Sequence, residues 1–162
     1  MIILDTSFMY SLLNKKEINH DKALRLMNRI SRGEFGKPII FEYVINELVN
    51  LAITRQPFEY VRFIIESLQK DINNGKLLLI MLDKDKNEIY NISKLFIKIN
   101  SGSRNKLSFT DCAILYVMIN NGIKFLATFD SGFSSVLKKV DDGLYELTAC
   151  SNIEKIMQKG DR

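Results

Sequence analysis

Met1-Ile2-Ile3-Leu4-Asp5-Thr6-Ser7 opens the chain: four apolar residues halted by a carboxylate and two hydroxyls. A short continuous apolar run of this kind reads as a strand buried on both faces. The Asp-Thr-Ser behind it is helix N-cap chemistry, so the strand hands over to a helix at once. Strands buried on both faces belong to parallel sheets covered by helices, and the rest of the chain repeats the pattern.

Working outward, Ala23, Leu24, Met27 and Ile30 stand near helical spacing and predict a helix over residues 21–32, closed by Gly33 and Gly36. Residues 38–41 form a second short strand. Val44, Ile45, Leu48, Val49 and Ala52 predict a helix over 42–53, and Pro57 separates it from another over 58–71. Asn73-Asn74-Gly75 is a turn before a fully buried strand over 76–81, followed by a helix over 84–99. A polar, basic loop over 100–106 leads into an apolar helix over 109–119. A strand over 124–127, an exit loop over 128–132, a short helix over 133–139, a strand over 144–147 and a terminal helix over 151–158 complete the chain. The expected fold is α/β, a three-layer α/β/α sandwich around a mostly parallel sheet of four to five strands. Residues 1–148 are expected to form one domain, with 149–162 a C-terminal helix packed on it or trailing from it.

Composition agrees with one packed domain. The 162 residues are 46% hydrophobic and 26% charged, with 8 Gly and 2 Pro, which excludes collagen-like, low-complexity and largely disordered classes. Cys112 and Cys150 lie far apart and His20 is the one imidazole, so zinc knuckles and CxxC redox motifs are excluded and both thiols are expected to be buried and reduced. The N-terminus lacks a basic leader, and the longest apolar run, 77–82, is far short of the roughly 20 residues that cross a bilayer. A cytoplasmic protein without a membrane span is expected. The net charge of +4 permits a polyanionic partner without demanding one, since its basic residues lie in small separate groups.

The acids are more informative. Glu47 has Tyr43, Val44, Asn50 and Leu51 around it at helical spacing, a mostly apolar set, with no Lys or Arg within one turn. A carboxylate in such a stripe must be partly exposed, protonated, paired or bound to a cation. Glu42, in the first turn, is accounted for by the helix dipole. Asp111 also sits on an apolar face, yet Ser108-Phe109-Thr110-Asp111 matches a capping box, which explains it equally well. Asp5 has a capping explanation, and Asp130, in Asp130-Ser131-Gly132, a turn explanation. As a set, however, these acids fall at strand exits or on apolar helix faces, and parallel α/β sheets gather ligands beyond their carboxyl ends. Clustered carboxylates call for a hard cation, Mg²⁺ or Mn²⁺.

Leu4-Asp5-Thr6-Ser7, Glu47, residues 107–111 and residues 126–133 together resemble the ordered motifs of the PIN-domain nucleases, over residues 1 to about 147. The resemblance implies that Asp5, Glu47, Asp111 and Asp130 form an acidic catalytic site, with Asp5, Asp111 and Asp130 holding metal. Thr6 or Ser7, Ser108 and Thr128 would support it through hydroxyl hydrogen bonds. It further implies Mg²⁺- or Mn²⁺-dependent endoribonuclease activity, frequently as the toxin of a VapC-type pair with an antitoxin protein, often as a homodimer. A housekeeping RNA-processing nuclease and a non-catalytic interaction module of the same fold are the alternatives.

Arg104 and Lys106, in the loop that runs into the Asp111 helix, are the best placed substrate-binding residues, although a solvated loop explains them too. Tyr10, Phe109, Phe129 and Phe133 read as core rather than as base-stacking residues. A phosphoacceptor domain is also α/β with acids at strand ends, but it expects paired acids at the first strand exit, and Asp5 stands alone there. Apolar faces around residues 58–68 suit either a dimer or the core.

Overall fold

The computed structural model describes residues 1–82, 86–101 and 106–148. The opening apolar run is strand β1 (Ile2–Leu4), and all three of its residues are buried. It lies between two parallel neighbours, β2 (Pro38–Phe41) and β4 (Phe125–Ala127), with Ile3 opposite Ile39 on one side and Leu126 on the other. Strand β3 (Leu78–Ile80) continues the parallel set outside β2. On the other side, β6 (Leu144–Glu146) and β5 (Lys138–Asp141) add antiparallel, so the sheet order is β3-β2-β1-β4-β6-β5.

The helices follow from that order. Helices α1 (Thr6–Leu13) and α2 (His20–Ser31) join β1 to β2, and α3 (Glu42–Arg55) and α4 (Phe58–Asn73) join β2 to β3. The chain then returns across the sheet through α5 (Lys86–Asn100) and α6 (Phe109–Asn120) to β4. Right-handed crossovers in one direction and then back place α1–α4 on one face and α5–α6 on the other. The packed pairs agree: α1 meets α2 and α3, α3 meets α4, and α5 meets α6. This is the expected three-layer arrangement, and its reversal of direction sets β1 and β4 side by side at a crevice.

Phe8, Phe41 and Phe133 are fully buried in the core. Helix α6 is buried continuously from Asp111 to Met118, as befits a helix apolar all round. Among the described residues no helix is long and apolar enough to cross a membrane.

The edges depart from expectation. Residues 133–139 are not a helix: a short 3-10 helix spans Ser131–Ser135 and the chain then extends as β5, giving six strands rather than four to five. All four residues of β5 are exposed, so it carries no alternation by which a sequence could reveal it, and Lys138 and Lys139 blunt an open edge. Strand β3 is partly exposed rather than fully buried, since it too is an edge, with Leu79 39% exposed. The β5–β6 turn needs Gly143: its φ is +77°, and a Cβ there would lie 2.7 Å from the Phe129 ring. The expected helix over 151–158, and with it the segment 149–162 and Cys150, lies outside the described residues.

Candidate active site

Asp5 leaves β1 and caps α1, accepting from Ser7 N at 3.3 Å and Ser7 Oγ at 2.7 Å. Thr128, at the exit of neighbouring β4 and fully buried, donates its hydroxyl to the same Asp5 oxygen at 2.7 Å. The Thr128 hydroxyl also accepts from Asp130 N at 3.0 Å, and Ser7 Oγ accepts from Phe129 N at 2.9 Å. Two adjacent strand exits are thereby stitched together through hydroxyls, which requires β1 and β4 to be neighbours.

Asp130 caps the 3-10 helix, its Oδ1 accepting from Gly132 N at 2.7 Å. Asp111 completes a capping box on α6: its Oδ2 accepts from Ser108 N at 2.7 Å while Ser108 Oγ accepts from Asp111 N at 3.0 Å. Capping and site membership are therefore compatible readings of the same residue. Because α6 runs back toward the start of β4, its first turn stands at the carboxyl edge of the sheet, beside Asp5 and Asp130. Glu47 arrives from α3 and accepts from Thr6 Oγ1 at 2.8 Å, which joins α3 to the first turn of α1. Glu42 is a strut: its Oε1 accepts from Leu82 N at 2.8 Å and holds the exit of β3.

Burial holds the Asp5 carboxyl above the usual carboxylate range, against hydrogen bonds from Thr128 and Ser7 that pull it down. Asp111, 7% exposed, is pushed up to about 6, first by burial and then by the charges of Asp5 and Asp130. No described ion pair involves Asp5, Glu47, Asp111 or Asp130. The chemistry and charge of these donors suit a hard divalent cation: they are all carboxylate oxygens, Asp5 and Asp130 repel Asp111, and no ion pair among the described residues compensates them. The hydrogen bonds of Asp111, Asp130 and Glu47 each run to one oxygen, and no buried side-chain polar atom among the described residues lacks a partner. As they stand, no three described His, Cys, Asp or Glu side chains are grouped closely enough to hold an ion.

Thr128→Val keeps the shape but removes the hydroxyl that serves both Asp5 and Asp130 N. A loss of about 1–3 kcal/mol in stability is expected from chemical denaturation. An unchanged midpoint would show that water replaces the hydroxyl.

Of the proposed substrate contacts, Arg104 lies outside the described residues, and Lys106 donates from Nζ to the Asn100 carbonyl at the end of α5. His20 donates from Nδ1 to the Ser11 carbonyl at 2.9 Å, a link between α1 and α2. Cys112 is buried, and burial followed by the charge of Asp111 pushes its thiol up to about 12, which leaves it inert. Phe133 and Tyr10 are core, whereas Phe129 is half-buried and stacks on Phe8 with ring centroids 6.1 Å apart. An apolar cavity of about 730 Å³ between α1, α2 and α4 is lined by none of the four acids.

Two contributors escaped the sequence reading. Asn100 clamps Leu107, its Nδ2 donating to Leu107 O at 3.0 Å and its Oδ1 accepting from Leu107 N at 2.9 Å. Gly132 is a point of close approach between the Asp130 turn and Leu107. Neither has a local signal, since a buried Asn in a polar loop and a Gly after Ser read as ordinary loop chemistry.

Residues 2–139 match the PIN domain family, and the chain belongs to it. Among solved structures, the crystal structure of Mycobacterium tuberculosis VapC20, a sarcin-ricin loop cleaving toxin, aligns with a TM-score of 0.67 and 19% sequence identity. The match covers 83% of this chain and 93% of that one, and at this identity the likeness is one of fold. No curated protein matches the chain.

Proposed function

We propose that this PIN-domain protein is a metal-dependent endoribonuclease that hydrolyses RNA phosphodiester bonds and serves as the toxin of a VapC-type toxin-antitoxin pair. The observation that carries this reading is that Asp111, in the first turn of α6, feels the charges of Asp5 and Asp130, both helix caps, while none of the three has an ion-pair partner among the described residues. Membership of the PIN family and the fold shared with an RNA-cleaving toxin support it.

In this reading Asp5, Asp111 and Asp130 hold Mg²⁺ or Mn²⁺ after rotation of their side chains, and Glu47 completes the ligand set or orients the attacking water. Bound there, the cation supplies positive charge to the scissile phosphate and acidifies water at neutral pH. The chain's own groups do the rest. Thr128 and Ser7 fix the Asp5 carboxylate, Ser108 N fixes Asp111, and Thr6 ties Glu47 to the first turn of α1, next to Asp5 in the chain. The test is cleavage of labelled RNAs and single-stranded DNAs with Mg²⁺, Mn²⁺ or EDTA. RNA cleavage that EDTA abolishes is expected; cleavage that persists in EDTA would overturn the metal-dependent reading.

Arg104 and Lys106 are proposed to position the RNA backbone. Replacing both with Ala should flatten the salt dependence of RNA binding, lowering the log–log slope by about 1.4 for two lost single-strand phosphate contacts. An unchanged slope would remove them from the interface.

An antitoxin protein is the proposed partner, one that brings basic side chains to the acidic crevice. A homodimer is also proposed, because α4 leaves Phe58 65% and Phe63 53% exposed. Sedimentation should give twice the chain mass for the wild type and the chain mass for Phe63→Glu; a monomeric wild type would refute it.

A further inference from the structure

We infer that Gly132 and Leu107 are positioning residues that set the spacing between the Asp111 and Asp130 carboxylates. The inference rests on the proposed metal-binding role of those acids.

Asp111 and Asp130 come from different parts of the chain, α6 and the exit of β4, and no described hydrogen bond joins the two side chains directly. What joins their segments is a packing contact. A Cβ at Gly132 would lie 2.9 Å from Leu107 Cδ2 and 3.1 Å from Asp130 Oδ1, so the missing methyl is the space in which Leu107 is seated. Leu107 immediately precedes Ser108, the cap of the helix that carries Asp111, and Gly132 N holds the Asp130 carboxylate at 2.7 Å. The seat has one acid-bearing segment on each side.

Leu107 cannot easily yield. Its side chain is closed in at 2% exposed, which leaves Cδ2 little room to swing aside, and Asn100 holds the backbone beneath it through both N–H and carbonyl. A methyl at 132 would therefore either drive the α6 N-terminus away from the Asp130 turn or push the Asp130 carboxylate off Gly132 N. Either movement changes the separation of two ligands that must meet one small cation, and Mg²⁺ in particular tolerates little departure from its preferred geometry. Gly132 lies outside the left-handed region of backbone conformation, so the requirement is for space and not for a special turn.

The experiment is Mn²⁺ binding to the metal-free protein, by titration calorimetry or electron paramagnetic resonance, for wild type, Gly132→Ala, Leu107→Val and the double variant. Gly132→Ala is expected to weaken Mn²⁺ binding tenfold or more. Shortening Leu107 in that background should recover a substantial part of the loss, while Leu107→Val alone has a smaller effect. In cleavage assays the requirement for Mn²⁺ should rise more steeply than the KM for RNA. Equal Mn²⁺ affinity in wild type and Gly132→Ala overturns the inference, as does a double variant no better than Gly132→Ala. If Gly132→Ala does not fold, the double variant decides, since restored folding and binding support the seat and their absence refutes it. A wild type that binds no Mn²⁺ overturns both this inference and the metal-site reading, whereas binding that is indifferent to Gly132 overturns this inference alone.

Discussion

Asp5→Asn is expected to lower RNA cleavage by on the order of 10³-fold or more while leaving the fold intact. Asn is nearly isosteric with Asp and is as good an N-cap, so its side-chain oxygen still accepts from Ser7 N and Ser7 Oγ, and α1 keeps its start. What disappears is one negative charge at a position where Thr128 and Ser7 already aim their hydroxyls. Because burial disfavours that charge, the variant should melt no lower than the wild type in EDTA. The measurement is initial rate on labelled RNA in Mn²⁺, alongside circular dichroism melts of both proteins. Undiminished cleavage by purified, folded Asp5→Asn would remove Asp5 from the mechanism.

The second large effect is on stability. Folded Asp111 keeps its proton up to about pH 6, whereas in the unfolded chain it releases it near 3.8. Between those values the folded state binds more protons than the unfolded one, so stability falls as pH rises through the window. The loss is complete above about pH 6 and corresponds to about 3 kcal/mol at 1.36 kcal/mol per pKa unit. Asp111→Asn has no proton to lose and keeps an oxygen for Ser108 N. In EDTA at pH 7.5 it should therefore melt above the wild type by roughly 6–12 °C, with the gap closing near pH 4. Asp5, shifted in the same direction, is coupled to Asp111 by charge, so removing the Asp111 carboxylate also eases ionisation of Asp5 and widens the gap in the same sense. Mn²⁺ should narrow the gap from the other side, since a ligand at 100 times its Kd adds about 2.7 kcal/mol to the protein that binds it. An Asp111→Asn protein no more stable than the wild type at neutral pH would mean that the carboxylate carries no burial penalty.

These two predictions share a physical origin. A candidate site that gathers carboxylates with no ion pair among the described residues is unstable until something cationic arrives, and its acids are held by hydrogen bonds at helix starts. Helix N-termini offer N–H groups and a favourable dipole, which partly compensate the burial of Asp5 and Asp111. They do not cancel it, as the raised values of both groups show. The residual repulsion is what a divalent cation would relieve.

Much of the candidate site was legible because its parts are local. Asp5 follows a four-residue apolar run, Asp111 stands three residues after Ser108, and Asp130 two before Gly132, and each spacing is a capping or turn signature within a few residues. The same locality made each acid ambiguous, because a cap is a complete explanation of a lone Asp. Edge strand β5 was illegible for the opposite reason: exposed on every residue and paired only with β6, it has no pattern of its own, and its run of Lys138-Lys139-Val140 passes for the end of a helix. Strand β3 reads as buried from Leu77-Leu78-Leu79-Ile80, yet its place at the end of the sheet order leaves Leu79 and Met81 open.

From the sequence alone come the α/β alternation, the covered parallel strands and the acids at their exits, because hydrophobic period and capping chemistry act over a handful of residues. Tertiary structure alone decided which of those exits meet. Thr128 reaches Asp5 only because β4 pairs with β1, Thr6 reaches Glu47 only because α1 packs on α3, and Leu107 finds its seat on Gly132 only because the chain recrosses the sheet before β4. Those contacts span from 25 to more than 120 residues of chain, and sheet order rather than any local propensity brings them together.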